Sequence, residues 1–129
     1  MEEYFYEVDL SWKSDKKASL NSHGLREIEV ASPLETPKEK KSNWTPEHLL
    51  AGSVSSCFMT TFLEIAERSK LEIINYHCQC FVKLQKEKDK YITSEILLRP
   101  IIQLKDDLNI LKAYKCIEEA ETKCPIKNA

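Results

Sequence analysis

The residues of this chain best equipped for chemistry are five cysteines, at 57, 78, 80, 116 and 124, with Glu47 and three scattered histidines, His23, His48 and His77. A thiol offers three chemistries: nucleophilic attack as thiolate, binding of soft metals, and disulfide formation. Metal binding is poorly served. There is no Cys-x-x-Cys, and the one local seed, Cys78-Gln79-Cys80, has no second pair at zinc-finger spacing, so neither a metal nor a cofactor is expected. Five cysteines, an odd number, in a 129-residue chain do not make a secreted disulfide framework. A nucleophilic thiol or an inert one remains. Cys57 lies in the middle of an apolar stripe, where free cysteine ordinarily behaves as a small hydrophobe. Its position leaves both readings open.

The element that must carry Cys57 runs from Trp44 to Lys70. Thr45 is a suitable N-cap, its hydroxyl able to accept a first-turn N–H. Pro46 follows at the first helical position, where a missing N–H costs nothing. Glu47 falls in the first turn, on the favourable side of the macrodipole. Trp44 and Leu49 are spaced for a hydrophobic staple. Leu50, Val54, Cys57, Phe58, Thr61, Phe62 and Ile65 then recur with the period of a packed helix.

Upstream, Tyr4, Tyr6, Val8, Leu10 and Trp12 alternate with polar residues as in a half-buried strand, and Ala18–Leu20 starts a second. Gly24 suits a turn with positive φ, and Leu25 to Ala31 alternates again. The first third is therefore expected to be a three-stranded antiparallel meander. Pro33 to Asn43, with its charged run Lys38-Glu39-Lys40-Lys41, reads as an exposed connector. Beyond the helix, Ile74, Tyr76, Cys78, Cys80, Val82 and Leu84 share one face of a long strand. On that face Cys78 and Cys80 pack rather than react. Lys86 to Lys90 is a hairpin turn, and Tyr91 to Ile102 the return strand, with Pro100 pointing to an edge or a strand end. Asp106 or Asp107 caps a second helix with the stripe Ile110, Ala113, Tyr114, Ile117 and Ala120. Cys116 sits at the stripe's border, and Pro125 stops the helix. The order is β-β-β-α-β-β-α, an α+β fold of antiparallel strands around a long central helix.

At 42% hydrophobic the chain suits one domain spanning residues 1–129. A net charge of −2, spread along the chain, gives no reason to expect nucleic acid or a membrane surface as partner. No apolar run approaches the length of a membrane span. Met1-Glu2-Glu3-Tyr4 has neither the basic region nor the apolar core of a signal peptide, so a cytoplasmic location is expected. A helix apolar on several sides, with bulky Trp12, Trp44, Phe58 and Phe62 nearby in the pattern, makes a homodimer the expected cover.

Two motifs are more specific. Thr45-Pro46-Glu47-His48-Leu49-Leu50-Ala51 leads into Ser56-Cys57-Phe58, and Cys124-Pro125-Ile126-Lys127-Asn128-Ala129 follows. With the strand ending in Ala31-Ser32-Pro33, this resembles the OsmC/Ohr family of osmotically inducible proteins and organic hydroperoxide reductases, over almost the whole chain. The resemblance implies a thiol peroxidase. Cys57 would attack an organic hydroperoxide and become a sulfenic acid. Cys124 would resolve it as a disulfide before over-oxidation, and a dithiol reductant such as a lipoyl protein would reopen it. The two sulfurs must then meet, although they belong to unrelated elements.

The resemblance also implies an arginine paired with the helix glutamate, which maps onto Glu47. No arginine precedes Arg26; Lys16 or Lys17 stands in the region, and Lys17 is the preferred substitute, keeping the charge without the planar fork. Glu47 and Cys57 are ten residues apart, roughly 15 Å along an unbroken helix, so direct contact is excluded. Gly52-Ser53-Val54-Ser55-Ser56 is a poor helix former, and a kink or restart there would bring Cys57 nearer a helix start. Family members continue past the second cysteine motif into a final strand. This sequence stops at Ala129, with Lys127 where serine is common, so either the chain is truncated or that final strand is absent. Two other functions share these features: a weakly catalytic binding protein for small hydrophobic ligands on the same fold, and a hot-dog-like thioesterase using a carboxylate such as Glu47 with water.

Overall fold

The computed structural model describes residues 1–32 and 43–126. The connector from Pro33 to Ser42 and the tail Lys127-Asn128-Ala129, including its expected role in the second cysteine motif, lie outside the described residues. Contacts divide the chain into two compact units, Met1–Leu49 and Leu50–Ala129.

The N-terminal unit is the expected meander. β1 (Asp9–Ser14), β2 (Lys17–Asn21) and β3 (Ile28–Ala31) form an antiparallel sheet in the order β1-β2-β3. Asp15 turns β1 into β2 at φ 49, and Gly24 takes φ 77 before β3. A glycine pays no Cβ penalty at that angle. β1 is shorter than the alternation of Tyr4 to Lys13 suggests, and it is not half-buried: Leu10 is 67% exposed and Trp12 77%. Alternation records which face is apolar, and nothing among the described residues covers that face. Trp44 bridges to Val30, and its carbonyl accepts from the Ala31 N–H at 2.8 Å, which anchors the approach to α1 (Pro46–Arg68).

α1 begins as its sequence directs. The His48 N–H donates to Thr45 Oγ1 at 3.2 Å, and His48 Nδ1 accepts from the Thr45 N–H at 3.2 Å. This is a capping box in which an imidazole takes the position usually held by Glu or Gln. The ring that Trp44 meets edge-on is also that of His48, at 6.0 Å between centroids. The helix continues without interruption for 23 residues, so the expected restart between Gly52 and Ser56 is absent. The serines there satisfy themselves within the helix, Ser56 Oγ donating to the Gly52 carbonyl at 2.7 Å. The end is a Schellman motif. Leu71 N–H bonds the Ala66 carbonyl at 2.8 Å and Lys70 N–H that of Glu67 at 3.1 Å, with Lys70 at φ 57.

In the C-terminal unit, β4 (Ile73–Glu87) and β5 (Lys90–Leu104) make a 15-residue antiparallel hairpin. Tyr76, Cys78, Cys80, Val82 and Leu84 share the half-buried face as expected. Ile74 does not, because an irregularity between Ile73 and Asn75 turns it outward. Pro100 faces Cys78 in a sheet of only two strands, where a missing N–H costs no ladder bond on the open side. Asp106 accepts from Leu108 N–H at 3.0 Å and caps a short 3-10 turn, which leads into α2 (Ile110–Lys123). The buried stripe of α2 is Ala113, Cys116 and Ala120, followed by Cys124. Ile110 and Tyr114, expected inward, are exposed, and Cys116 lies inside the stripe rather than at its border. Small side chains explain the rotation: they let α2 close on Phe58, Phe62 and Ile65, which share its core cluster. Among the described residues no strand follows α2. The α+β order β-β-β-α-β-β-α is therefore observed as expected.

By length and composition α1 is apolar enough to cross a bilayer, although its polar interruptions hide this from a search for unbroken apolar runs. Only 28% of its most apolar stretch is buried within the chain. The core helix of a water-soluble fold meets the same criterion.

Candidate active site

Cys57 is in the fourth turn of α1 and half-buried; Cys124 is the residue on which α2 ends, and it is fully buried. Both residues belong to the C-terminal unit. Cys124 is held by its N–H bond to the Ala120 carbonyl at 3.0 Å, and Pro125, unable to continue the helix, fixes the chain's departure. The small stripe on α2 allows the approach. The result is that Cys124 Sγ lies 3.0 Å from Cys57 Sγ across 67 residues of sequence. No disulfide joins them, and about 1 Å of further approach would make a covalent S–S bond.

An apolar cleft, itself lined by neither cysteine, opens between α1 and β5. It has a volume of about 610 Å³ and is lined by Leu50, Val54, Ile96, Leu98 and Ile126, with Thr93, Ser94 and Glu95 towards one side. Leu50 and Val54 precede Cys57 at helical spacing on one face of α1, and Ile126 follows Cys124 by two residues. No basic residue lines it among the described residues. A larger groove, about 1100 Å³, runs between β5 and α2 and is lined by no cysteine.

Lys17 opens β2 on the exposed surface, facing Ser14 on one neighbour and Ala31 on the other. Glu47 is in the first turn of α1, with Oε1 buried and lacking a hydrogen-bond partner among the described residues. Both lie in the N-terminal unit. Among the described residues no ion pair joins them; the ion pairs present are Lys13–Glu29, Lys105–Glu72 and Lys123–Glu119, all exposed.

The other cysteines are apart from this chemistry. Cys116 is a core residue. Burial pushes the Cys80 thiol up, and a charge on Cys78 beside it would push it further. Tyr76 is raised for the same reasons, burial first and Cys78 second. Its hydroxyl is enclosed without a hydrogen-bond partner among the described residues.

The OsmC-like protein model matches residues 38–129. The chain belongs to the OsmC-like family. Its likeness to solved OsmC-like and Ohr structures covers nearly its full length. An OsmC-like protein of unknown function from Vibrio cholerae superposes with a TM-score of 0.81 at 23% identity, covering 98% of this chain and 93% of that one. An organic hydroperoxide resistance protein from Elizabethkingia anophelis gives 0.77 at 23%, covering 98% and 89%. OhrB of Bacillus subtilis, also an organic hydroperoxide resistance protein, gives 0.70 at 20%, covering 97% and 89%. In sequence, the uncharacterised Bacillus subtilis protein YmaD is 23% identical over 135 residues, 100% of this chain and 88% of its own length.

In this OsmC-like chain the sequence motifs contain both cysteines but not most of the residues that line the cleft, none of which is aromatic. Leu50 and Val54 are legible from their spacing, which places them on the Cys57 side of the helix. Ile96, Leu98 and Ile126 carry no local signal, because only the packing of β5 against the helices brings them there.

Proposed function

We propose that this protein is a thiol-dependent peroxidase for organic hydroperoxides, with Cys57 as the peroxidatic and Cys124 as the resolving cysteine. The observation that carries the reading is the 3.0 Å contact between the two sulfurs. The Cys57 thiolate attacks the distal oxygen of ROOH; the O–O bond breaks, and the alkoxide takes a proton to leave as ROH. Cys57 is now a sulfenic acid. The Cys124 sulfur displaces its hydroxyl, releasing water and forming the disulfide. A dithiol reductant, a lipoyl protein being the family's kind, attacks the disulfide, restores both thiols and leaves as its own disulfide. The aliphatic side of the cleft suits the organic group R. The names of the Elizabethkingia and Bacillus relatives support the same substrate class. Glu47, through Lys17 or another cation, is proposed to assist the thiolate.

The working form is proposed to be a cytoplasmic homodimer. An odd number of cysteines outside any disulfide-framework spacing suits a reducing compartment. The apolar β1 surface and the sparsely covered α1 need a partner, and a second copy supplies the same surfaces by symmetry.

A peroxide-consumption assay with a dithiol tests the reaction. The protein should consume t-butyl hydroperoxide faster than hydrogen peroxide, and Cys57→Ser should abolish both. One observation favours a second reading, a binding protein for small hydrophobic ligands: no basic residue lines the cleft among the described residues. Ligand binding without turnover, unchanged by Cys57→Ser, would establish that reading instead.

A further inference from the structure

The cleft between α1 and β5 is divided chemically. Leu50 and Val54 from α1, with Ile96 and Leu98 from β5, make one part of its lining aliphatic, whereas Thr93, Ser94 and Glu95 make another part polar. Thr93 to Ile96 are four consecutive residues of one strand. In a regular strand neighbouring side chains alternate between faces, so a run of four does not address one cleft. β5 is irregular at this point. Glu95 pairs with Lys83 and Thr93 with Leu84, which leaves Ser94 as an extra residue without an opposite number. A bulge of this kind bends its strand and re-aims side chains. The break in register thus gives an aliphatic cleft a polar rim.

That rim carries a charge. Glu95 is exposed, and among the described residues no ion pair neutralises it: Lys83 stands opposite in register but beyond ion-pair distance. No basic residue lines the cleft among the described residues. The rim therefore presents two hydroxyls and a carboxylate. A carboxylate accepts hydrogen bonds and repels other anions. The cleft volume, about 610 Å³, is that of a small-molecule site.

We propose that Glu95 makes this cleft selective by head group, favouring an aliphatic chain that ends in an uncharged hydrogen-bond donor or a cation over one that ends in a carboxylate. The aliphatic lining supplies the affinity and the bulged rim supplies the choice. This deepens the peroxidase reading and rests on it only for calling the occupant a substrate: the favoured hydroperoxides then carry neutral or cationic ends. Because Glu95 lies at the surface, its effect is modest and screened by salt, about threefold for each unit of ligand charge.

The test reads binding and needs no turnover. Isothermal titration at pH 7 and low salt compares octylamine, 1-octanol and octanoate, one tail with three head groups. Wild type should bind octylamine about tenfold more tightly than octanoate, with octanol between them, and the gap should narrow in about 0.5 M salt. Glu95→Gln keeps the size of the side chain without its charge and should remove most of that tenfold. Glu118→Gln makes the same change of net charge at an exposed position of α2 outside the cleft lining, and should leave the ratio as in wild type. Ser94→Trp adds bulk at the exposed rim and should weaken all three probes. The same amine-to-acid ratio in wild type and Glu95→Gln would overturn the proposal, as would octanol binding untouched by Ser94→Trp or no binding of any probe. Selection through Glu95 without consumption of any hydroperoxide would uphold the cleft and sink the peroxidase reading. Turnover of organic hydroperoxides without the Glu95 effect would do the reverse.

Discussion

Cys57 and Cys124 differ from the other three cysteines by partner rather than by residue type. Cys116 is enclosed in the core, and Cys78 and Cys80 lie along a strand face, whereas Cys57 and Cys124 meet each other. Two consequences can be measured. Under repeated peroxide exposure, Cys124→Ser should accumulate sulfinic and sulfonic acid at Cys57, seen as mass increments on that peptide, while wild type stays reducible. Cys80, its thiol pushed up by burial and by neighbouring Cys78, stays protonated at neutral pH. Its peptide should label with iodoacetamide more slowly than a free cysteine, and more slowly than that of Cys57.

At the scale of elements, the small stripe Ala113, Cys116, Ala120 on α2 sets how near the sulfurs come. Ala120→Leu should overfill that contact, costing about 1–3 kcal/mol in a denaturant melt and slowing peroxide-driven disulfide formation. Tyr76 gives a pH dependence. Its folded-state pKa is raised, so its contribution to stability is complete below the ordinary phenol range and is lost as pH rises through and beyond it. Tyr76→Phe removes that titration and an enclosed hydroxyl without a partner among the described residues. It should be near-neutral or stabilising at pH 7 and flatten the alkaline fall in melting temperature. Much of this level was legible in the sequence. Thr45-Pro46-Glu47 marks its own helix start, and alternation marks β4 and β5. The stripe of α2 was misread because hydrophobicity ranks Ile110 and Tyr114 above Ala and Cys, while close helix packing selects for small volume. The expected restart in α1 failed because propensity is a weak prior: serine hydroxyls bonding back to helix carbonyls, and packing of Val54 and Phe58, override it.

For the whole molecule, the α+β order and the OsmC-like family were readable from pattern and motif; what pattern could not supply was cover. The residues alternating along β1 were read as half-buried, yet Leu10 and Trp12 stand exposed in the single chain, since alternation does not say which chain provides the other surface. Sedimentation equilibrium should give twice the chain mass, and Trp12→Lys should lower the association constant while leaving Cys57 alkylation intact in the monomer. The central claim is that Cys57 and Cys124 form one redox unit. Its most direct test is to add one equivalent of t-butyl hydroperoxide to the fully reduced protein, quench with acid and map the disulfides by mass spectrometry without reduction. The account predicts a single new species, the Cys57 peptide joined to the Cys124 peptide and two hydrogen atoms lighter than their sum. Recovery of Cys57 oxidised with Cys124 still a free thiol, or of Cys57 linked to another cysteine, would contradict it.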